Sequence, residues 1–184
     1  MNTFVVLDED HPGVLTRVSG LIRRRGFNID SITVGHTETA GVSRMTIAVE
    51  ADEFGARRIE ANLYKLIEVL RVDNVTRHPA IFRELCILKV KTTPETRAQI
   101  FQLASVYRAR IIDVSPESLV VEITGNEDKV QSLIDVLDPY GIVEMARTGR
   151  LAMLRGTGTA SKPPEDEQDF GAAKAEEDLI SHSV

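Results

Sequence analysis

Apolar residues recur along this chain with two periods, strand-like and helix-like, and each stretch ends at turn residues. Phe4, Val5, Val6 and Leu7 form a short apolar run that predicts a strand over Thr3–Asp8. Val14, Val18, Leu21, Ile22 and Arg25 lie at helical spacing and predict a helix over Pro12–Arg25. Gly26 and Asn28 break that pattern. A strand over Asn28–Gly35 follows, with Ile32 and Val34 on one face and Ile29, Ser31, Thr33 and Gly35 on the other. After a turn at Thr39-Ala40-Gly41, the stretch Ser43–Glu50 alternates Met45, Ile47 and Val49 with Arg44, Thr46 and Ala48. Asp52 suits the cap of a second helix with the stripe Ile59, Leu63, Leu66 and Ile67, and Val69–Arg77 reads as a fourth strand.

His78-Pro79-Ala80 marks a boundary, because a residue before proline is pushed out of helical space. The pattern then repeats. Glu84–Lys91 reads as a strand, and Thr93-Pro94 opens a helix with proline in its first turn and the stripe Ile100, Leu103, Ala104 and Tyr107. Arg110–Val114 and Leu119–Thr124 predict a hairpin around Ser115-Pro116-Glu117. Asn126 suits the cap of a helix carrying Val130, Leu133, Ile134 and Leu137, and Pro139-Tyr140-Gly141 turns into the strand Ile142–Arg147. The prediction is an α+β chain of two tandem ferredoxin-like βαββαβ domains. They occupy residues 1–78 and 79–156, and residues 157–184 form a disordered acidic tail.

Charge sharpens this division. The net charge of −6 sits mostly in residues 157–184, where seven acids face Lys162 and Lys174. The remaining body is nearly neutral, which argues against a nucleic-acid protein. Its central strands, Ser43–Val49 and Leu85–Lys91, also lack the aromatic residues that an RNA-binding sheet of the same strand order needs to stack bases. The single cysteine, Cys86, excludes an internal disulfide and reads as a buried thiol. With neither a secretory leader pattern nor an 18-residue apolar run, the expected setting is the cytoplasm.

Candidate chemistry concentrates at Asp10-His11-Pro12-Gly13-Val14, where the first strand meets the first helix. The first N–H groups of a helix lack intrahelical partners and form a small anion site, and Gly13 lets a ligand approach the backbone closely. The arrangement suits a free amino acid, its carboxylate on the helix start and its ammonium near the acidic turn. Asp10 also fits a helix N-cap, and His11 fits a solvent-exposed turn. Arg23-Arg24-Arg25 reads as cations at the negative end of a helix before Gly26. Catalytic motifs and metal-ligand spacings do not occur, and His11, His36, His78 and His182 are scattered.

The run DHPGVLTRVSGLIRRRGFNIDSITVG resembles the start of the small, regulatory subunit of acetolactate synthase (acetohydroxyacid synthase), whose first domain is of the ACT type. The resemblance continues through Ser43-Arg44-Met45-Thr46-Ile47 and Lys65–Val72, and ends with Gly141-Ile142-Val143-Glu144 and Arg147-Thr148-Gly149-Arg150. It covers residues 3–156. It implies ACT domains paired side by side as a homodimer, with valine or another branched-chain amino acid bound between protomers. Asp10, His11, Pro12, Gly13 and Val14 of one protomer would then face Asn28, Ile29 and Gly35 of the other. It implies a large, catalytic subunit as partner, with Arg44 and Thr46 as contacts to it. Thiamine diphosphate, Mg²⁺ and FAD would sit on that subunit and none on this chain. The implied task is to stimulate the large subunit and to confer feedback inhibition in branched-chain amino-acid biosynthesis. A stand-alone amino-acid sensor acting on another partner is the alternative.

Overall fold

The computed structural model describes residues 1–156, so the acidic tail read from the sequence at 157–184 lies outside the described residues. The first unit comprises β1 (Asn2–Glu9), α1 (Val14–Arg24), β2 (Ile29–His36), β3 (Val42–Val49), α2 (Glu53–Leu63) and β4 (Val69–Asn74). The second comprises β5 (Ala80–Lys91), α3 (Pro94–Val106), β6 (Arg110–Val114), β7 (Ser118–Gly125), α4 (Glu127–Leu137) and β8 (Ile142–Arg147), followed by a short strand β9 (Leu151–Leu154). Strand order is β2-β3-β1-β4 in the first sheet and β6-β7-β5-β8 in the second, with β9 paired to β5. Both units are therefore ferredoxin-like.

Alternation along the strands builds each core. Phe4, Val6, Met45, Ile47 and Val72 face α1 and α2, where they meet Val18, Ile22, Ile59 and Leu63, all buried. In the second unit Cys86, Leu88, Val90, Val121 and Ile123 meet Ile100, Val130, Leu133 and Leu137. Each such side chain contributes about 1.5–3 kcal/mol by leaving water. Burial also pushes the Cys86 thiol pKa upward, so the group acts as a small apolar residue. Asp52 and Asn126 cap their helices through side-chain oxygens, as the sequence predicts, and Thr93 caps the helix that Pro94 opens.

Several details differ from the sequence reading. The first helix begins at Val14, because Gly13 takes a left-handed conformation (φ 97°) and ends the preceding turn. The second helix stops at Leu63, so Ile67 leaves the predicted stripe and is 88% exposed. The fourth strand ends at Asn74, and β5 begins four residues earlier than its periodicity suggests. An irregularity at Asp30 shifts the register between β2 and β3. Ile29 therefore packs with Ile32 on the helix side, rather than with Ser31 and Thr33 on the opposite face.

The largest addition is β9, which the sequence reading omits. It pairs with the first residues of β5, from Ala80↔Leu154 to Arg83↔Leu151. One face of this ribbon lies on the first sheet, where Val5, Val75, Ala152, Ala80, Phe82 and Leu154 form a third small core. The side of the first sheet away from its helices is thus partly covered by the chain's own end.

Candidate functional site

The turn after β1 is held from several sides. Asp8 is buried and accepts a hydrogen bond from Ser43 Oγ (2.8 Å), while its second oxygen has no partner among the described residues. Burial raises its pKa, opposed by the Ser43 hydrogen bond; Asp10 pushes it up further and His11 pulls it down. The Asp10 N–H donates to Gly41 O (2.9 Å), and its carboxylate meets His36 Nδ1 at 2.9 Å. The Asp10 side chain therefore faces His36 and does not cap α1. His11 is exposed, with Nε2 3.2 Å from a Glu9 carboxylate oxygen.

Gly13 is the residue before α1, and no side chain caps this helix. No acid occupies its first turn either. The added Cβ of a larger residue at Gly13 would meet open space, so its backbone is approachable from outside. Val14 is buried and anchors the helix start to the core. The Arg17 backbone closes the first turn onto Gly13 O (3.0 Å), and the Arg17 side chain pairs with the buried Glu68 carboxylate. The start of α1 thus combines orphan N–H groups with a fixed orientation, which suits a carboxylate.

The other end of α1 is closed by a Schellman pattern. Gly26 N–H donates to Arg23 O (3.0 Å) and Phe27 N–H to Ile22 O (3.3 Å), with Gly26 at φ 80°. Arg23 and Arg24 occupy the last turn, where cations meet the negative helix end. The chain then enters β2 at Asn28 and Ile29. These two line an open cleft of about 400 Å³ with Thr16, Ser19, Gly20, Arg23 and Phe27. The helical members of that set lie three or four residues apart on one outward stripe, a signal that the sequence carried but the reading did not use.

Within one chain the predicted site residues form two groups. Asp10, His11, Pro12 and Gly13 sit at the start of α1, with Gly35 adjoining them through His36 and its contact to Asp10. Asn28 and Ile29 sit past its other end. Eleven helical residues separate them by about 16 Å, at 1.5 Å per residue. His36 belongs with the first group and was missed.

Arg44 and Thr46 lie on the sheet face that β9 approaches. Thr46 is fully buried, and Arg44 donates to Ala152 O (2.6 Å). Neither offers a free side chain at the chain surface. Arg147-Thr148-Gly149-Arg150 has a clear structural task. Arg147 pairs with Glu84 (2.6 Å), Thr148 bonds the Leu85 backbone, and Arg150 bonds Thr3 Oγ1 (3.4 Å) and pairs with Glu127. No described helix is long and apolar enough to cross a membrane.

Comparison with known proteins agrees with this architecture. Residues 4–71 match the family model for the AHAS small subunit-like ACT domain, and residues 83–156 match that for the small subunit of acetolactate synthase. A probable acetolactate synthase small subunit of Archaeoglobus fulgidus is 51% identical over 155 residues, covering 84% of this chain and 97% of that protein. The acetolactate synthase small subunit of Bacillus subtilis is 47% identical over 146 residues, covering 79% and 85%. The crystal structure of the small subunit from Thermotoga maritima superposes with a TM-score of 0.79 at 41% identity, covering 85% of this chain and 98% of that one.

Proposed function

Because this chain belongs to the family of acetolactate synthase small subunits, we propose that it regulates a catalytic large subunit by binding a branched-chain amino acid between two copies of its first domain. The observation that carries this reading is the free edge of the first sheet. β2 is an outermost strand, so its unpaired side is available to another strand. A symmetric antiparallel pairing centred between Ile32 and Thr33 sets residue 29 of one copy opposite residue 36 of the other. Asn28 of one copy then lies beside His36 of its partner, and through Asp10 beside the partner's open helix start. The 16 Å gap within a chain, measured at about 1.5 Å per helical residue, disappears across the pair.

In that site the N–H groups at the start of α1 receive the carboxylate. Asp10 and Glu9 supply negative charge for the ammonium. Asn28 has both a donor and an acceptor to offer from the other side, and Ile29 with the cleft beside it gives an apolar wall. The ligand touches two protomers, so it favours one mutual arrangement over others. A preference of about 1–3 kcal/mol changes the linked activity about 5- to 150-fold. In this reading the thiamine diphosphate, Mg²⁺ and FAD of the reaction belong to the large subunit, and both subunits work in the cytoplasm.

Calorimetric titration of the full chain with valine, leucine and isoleucine tests the reading. At least one is expected to bind, with one site per chain and so two per pair. Asn28→Ala is expected to weaken that binding by about tenfold or more, as the loss of one charge-assisted hydrogen bond implies. Flat titrations with all three, or an Asn28→Ala variant that binds like wild type, overturn it.

A further inference from the structure

The segment 148–154 crosses the helix-free face of the first sheet while bonded on its other side to the second domain. Its Thr148 carbonyl accepts from Thr33 Oγ1 (3.0 Å). The Arg150 N–H reaches Ser31 Oγ at 3.5 Å, and the Ala152 carbonyl accepts from Arg44 (2.6 Å). Gly149 lies directly on Ser31: a Cβ there would stand 2.5 Å from Ser31 Cβ and 2.9 Å from Ser31 Oγ. Gly149 also has φ 78°, so only glycine fits without strain. From the same segment Thr148 bonds the Leu85 backbone, and Arg150 pairs with Glu127 at the start of α4.

Ser31 and Thr33 belong to β2, two and four residues past Ile29. We infer that segment 148–154 is a strap that carries the state of β2 to the second domain, with Ser31, Thr33 and Gly149 as its positioning residues. This deepens, and rests on, the effector reading above. One strand then presents its edge and its first residues to the ligand and its outer face to the strap. The strap covers polar groups as well as apolar ones. Thr46 Oγ1 and the Nε groups of Arg44 and Arg71 are buried there without partners among the described residues. A cavity of about 160 Å³ remains between Val5, Arg44, Arg71, Asp73, Met153 and Leu154. Lifting the strap would uncover Thr46 and Arg44 together with the apolar Val5, Val75 and Ala152, so the closed strap is the resting state. Ligand bound across the β2 edge holds Ser31 and Thr33 where the strap needs them, and so tightens it.

Hydrogen–deuterium exchange on the full chain tests this in two arms. Without ligand, Gly149→Ala and the milder Thr33→Val are each expected to speed exchange across 150–154 and also across Ser31–Val34. Unchanged exchange at Ser31–Val34 in both variants overturns the strap, whatever the ligand does. With saturating L-valine, wild-type amides at 150–154 are expected to slow about fivefold or more, and those of Gly149→Ala to respond less than twofold while the variant still binds valine by calorimetry. Valine binding that leaves 150–154 unchanged in wild type overturns the transmission. A wild-type chain that binds no branched-chain amino acid overturns the effector reading and transmission together, and the ligand-free arm still decides whether strap and β2 are coupled.

Discussion

The two halves of this chain share one topology and differ at the corresponding place, where the first strand of each gives way to its first helix. In the second half Thr93 accepts from Thr96 N–H, Thr96 Oγ1 accepts from the Thr93 N–H, and Pro94 and Glu95 complete the first turn. The Glu95 carboxyl is held below its ordinary pKa by the Thr93 hydrogen bond and by its own backbone N–H. That helix start is already satisfied and already carries an anion. In the first half, Pro12-Gly13 leads into α1 with no side-chain cap and no acid in the first turn. The lesson is that the fold supplies two equivalent helix starts, and the capping residues decide which of them stays open to a ligand.

Core truncations give the largest effects and test whether the halves stand alone. Ile47→Ala in the first core and Leu88→Ala in the second are each expected to destabilise by about 2–5 kcal/mol in denaturant titrations. If the ribbon of β5 and β9 couples the halves, either change lowers one shared transition; two separate transitions with only one displaced would show independent units.

Next come the helix starts themselves. Gly13→Ala places a Cβ at φ 97° and is expected to cost about 1–2 kcal/mol of stability, with effector affinity falling as the backbone becomes crowded. Thr93→Ala is expected to cost about 1 kcal/mol through the lost cap and to leave effector affinity unchanged. Thermal melts paired with calorimetry separate the two, and an effect of Thr93→Ala on affinity would erase the contrast between the halves.

The smallest expected effect concerns Asp8. Burial raises its pKa above 3.8, so the folded chain holds its proton more tightly than the unfolded chain does. Stability then falls as pH rises from 3.8 towards the folded-state value, and the deficit persists above it. Asp8→Asn removes that penalty. Its melting temperature is expected to exceed that of wild type at pH 7, with the gap closing as pH drops below 3.8. A gap that widens on acidification would show that the carboxylate is stabilised in the fold.

Much of the architecture was legible because it rests on local chemistry. The apolar run Phe4–Leu7, the alternation over Met45–Val49, helical spacing at Val14, Val18 and Ile22, and the caps Asp52 and Asn126 each report an element through its own neighbours. The open turn at Pro12-Gly13 was legible for the same reason. The face of Ile29 was not, because a one-residue irregularity at Asp30 inverts the alternation without changing composition. His36 was not, because its partner Asp10 lies on another element.

The amino-acid order by itself determined two ferredoxin-like units and the caps Asp52 and Asn126, since periodicity and capping act within a few residues. Only the tertiary structure decided that Arg44 and Thr46 turn under the chain's own β9, that Gly149 rests against Ser31, and that Gly13 and Asn28 lie at opposite ends of α1. Those relations join residues far apart in sequence, where burial and close approach depend on which surfaces the folded chain brings together.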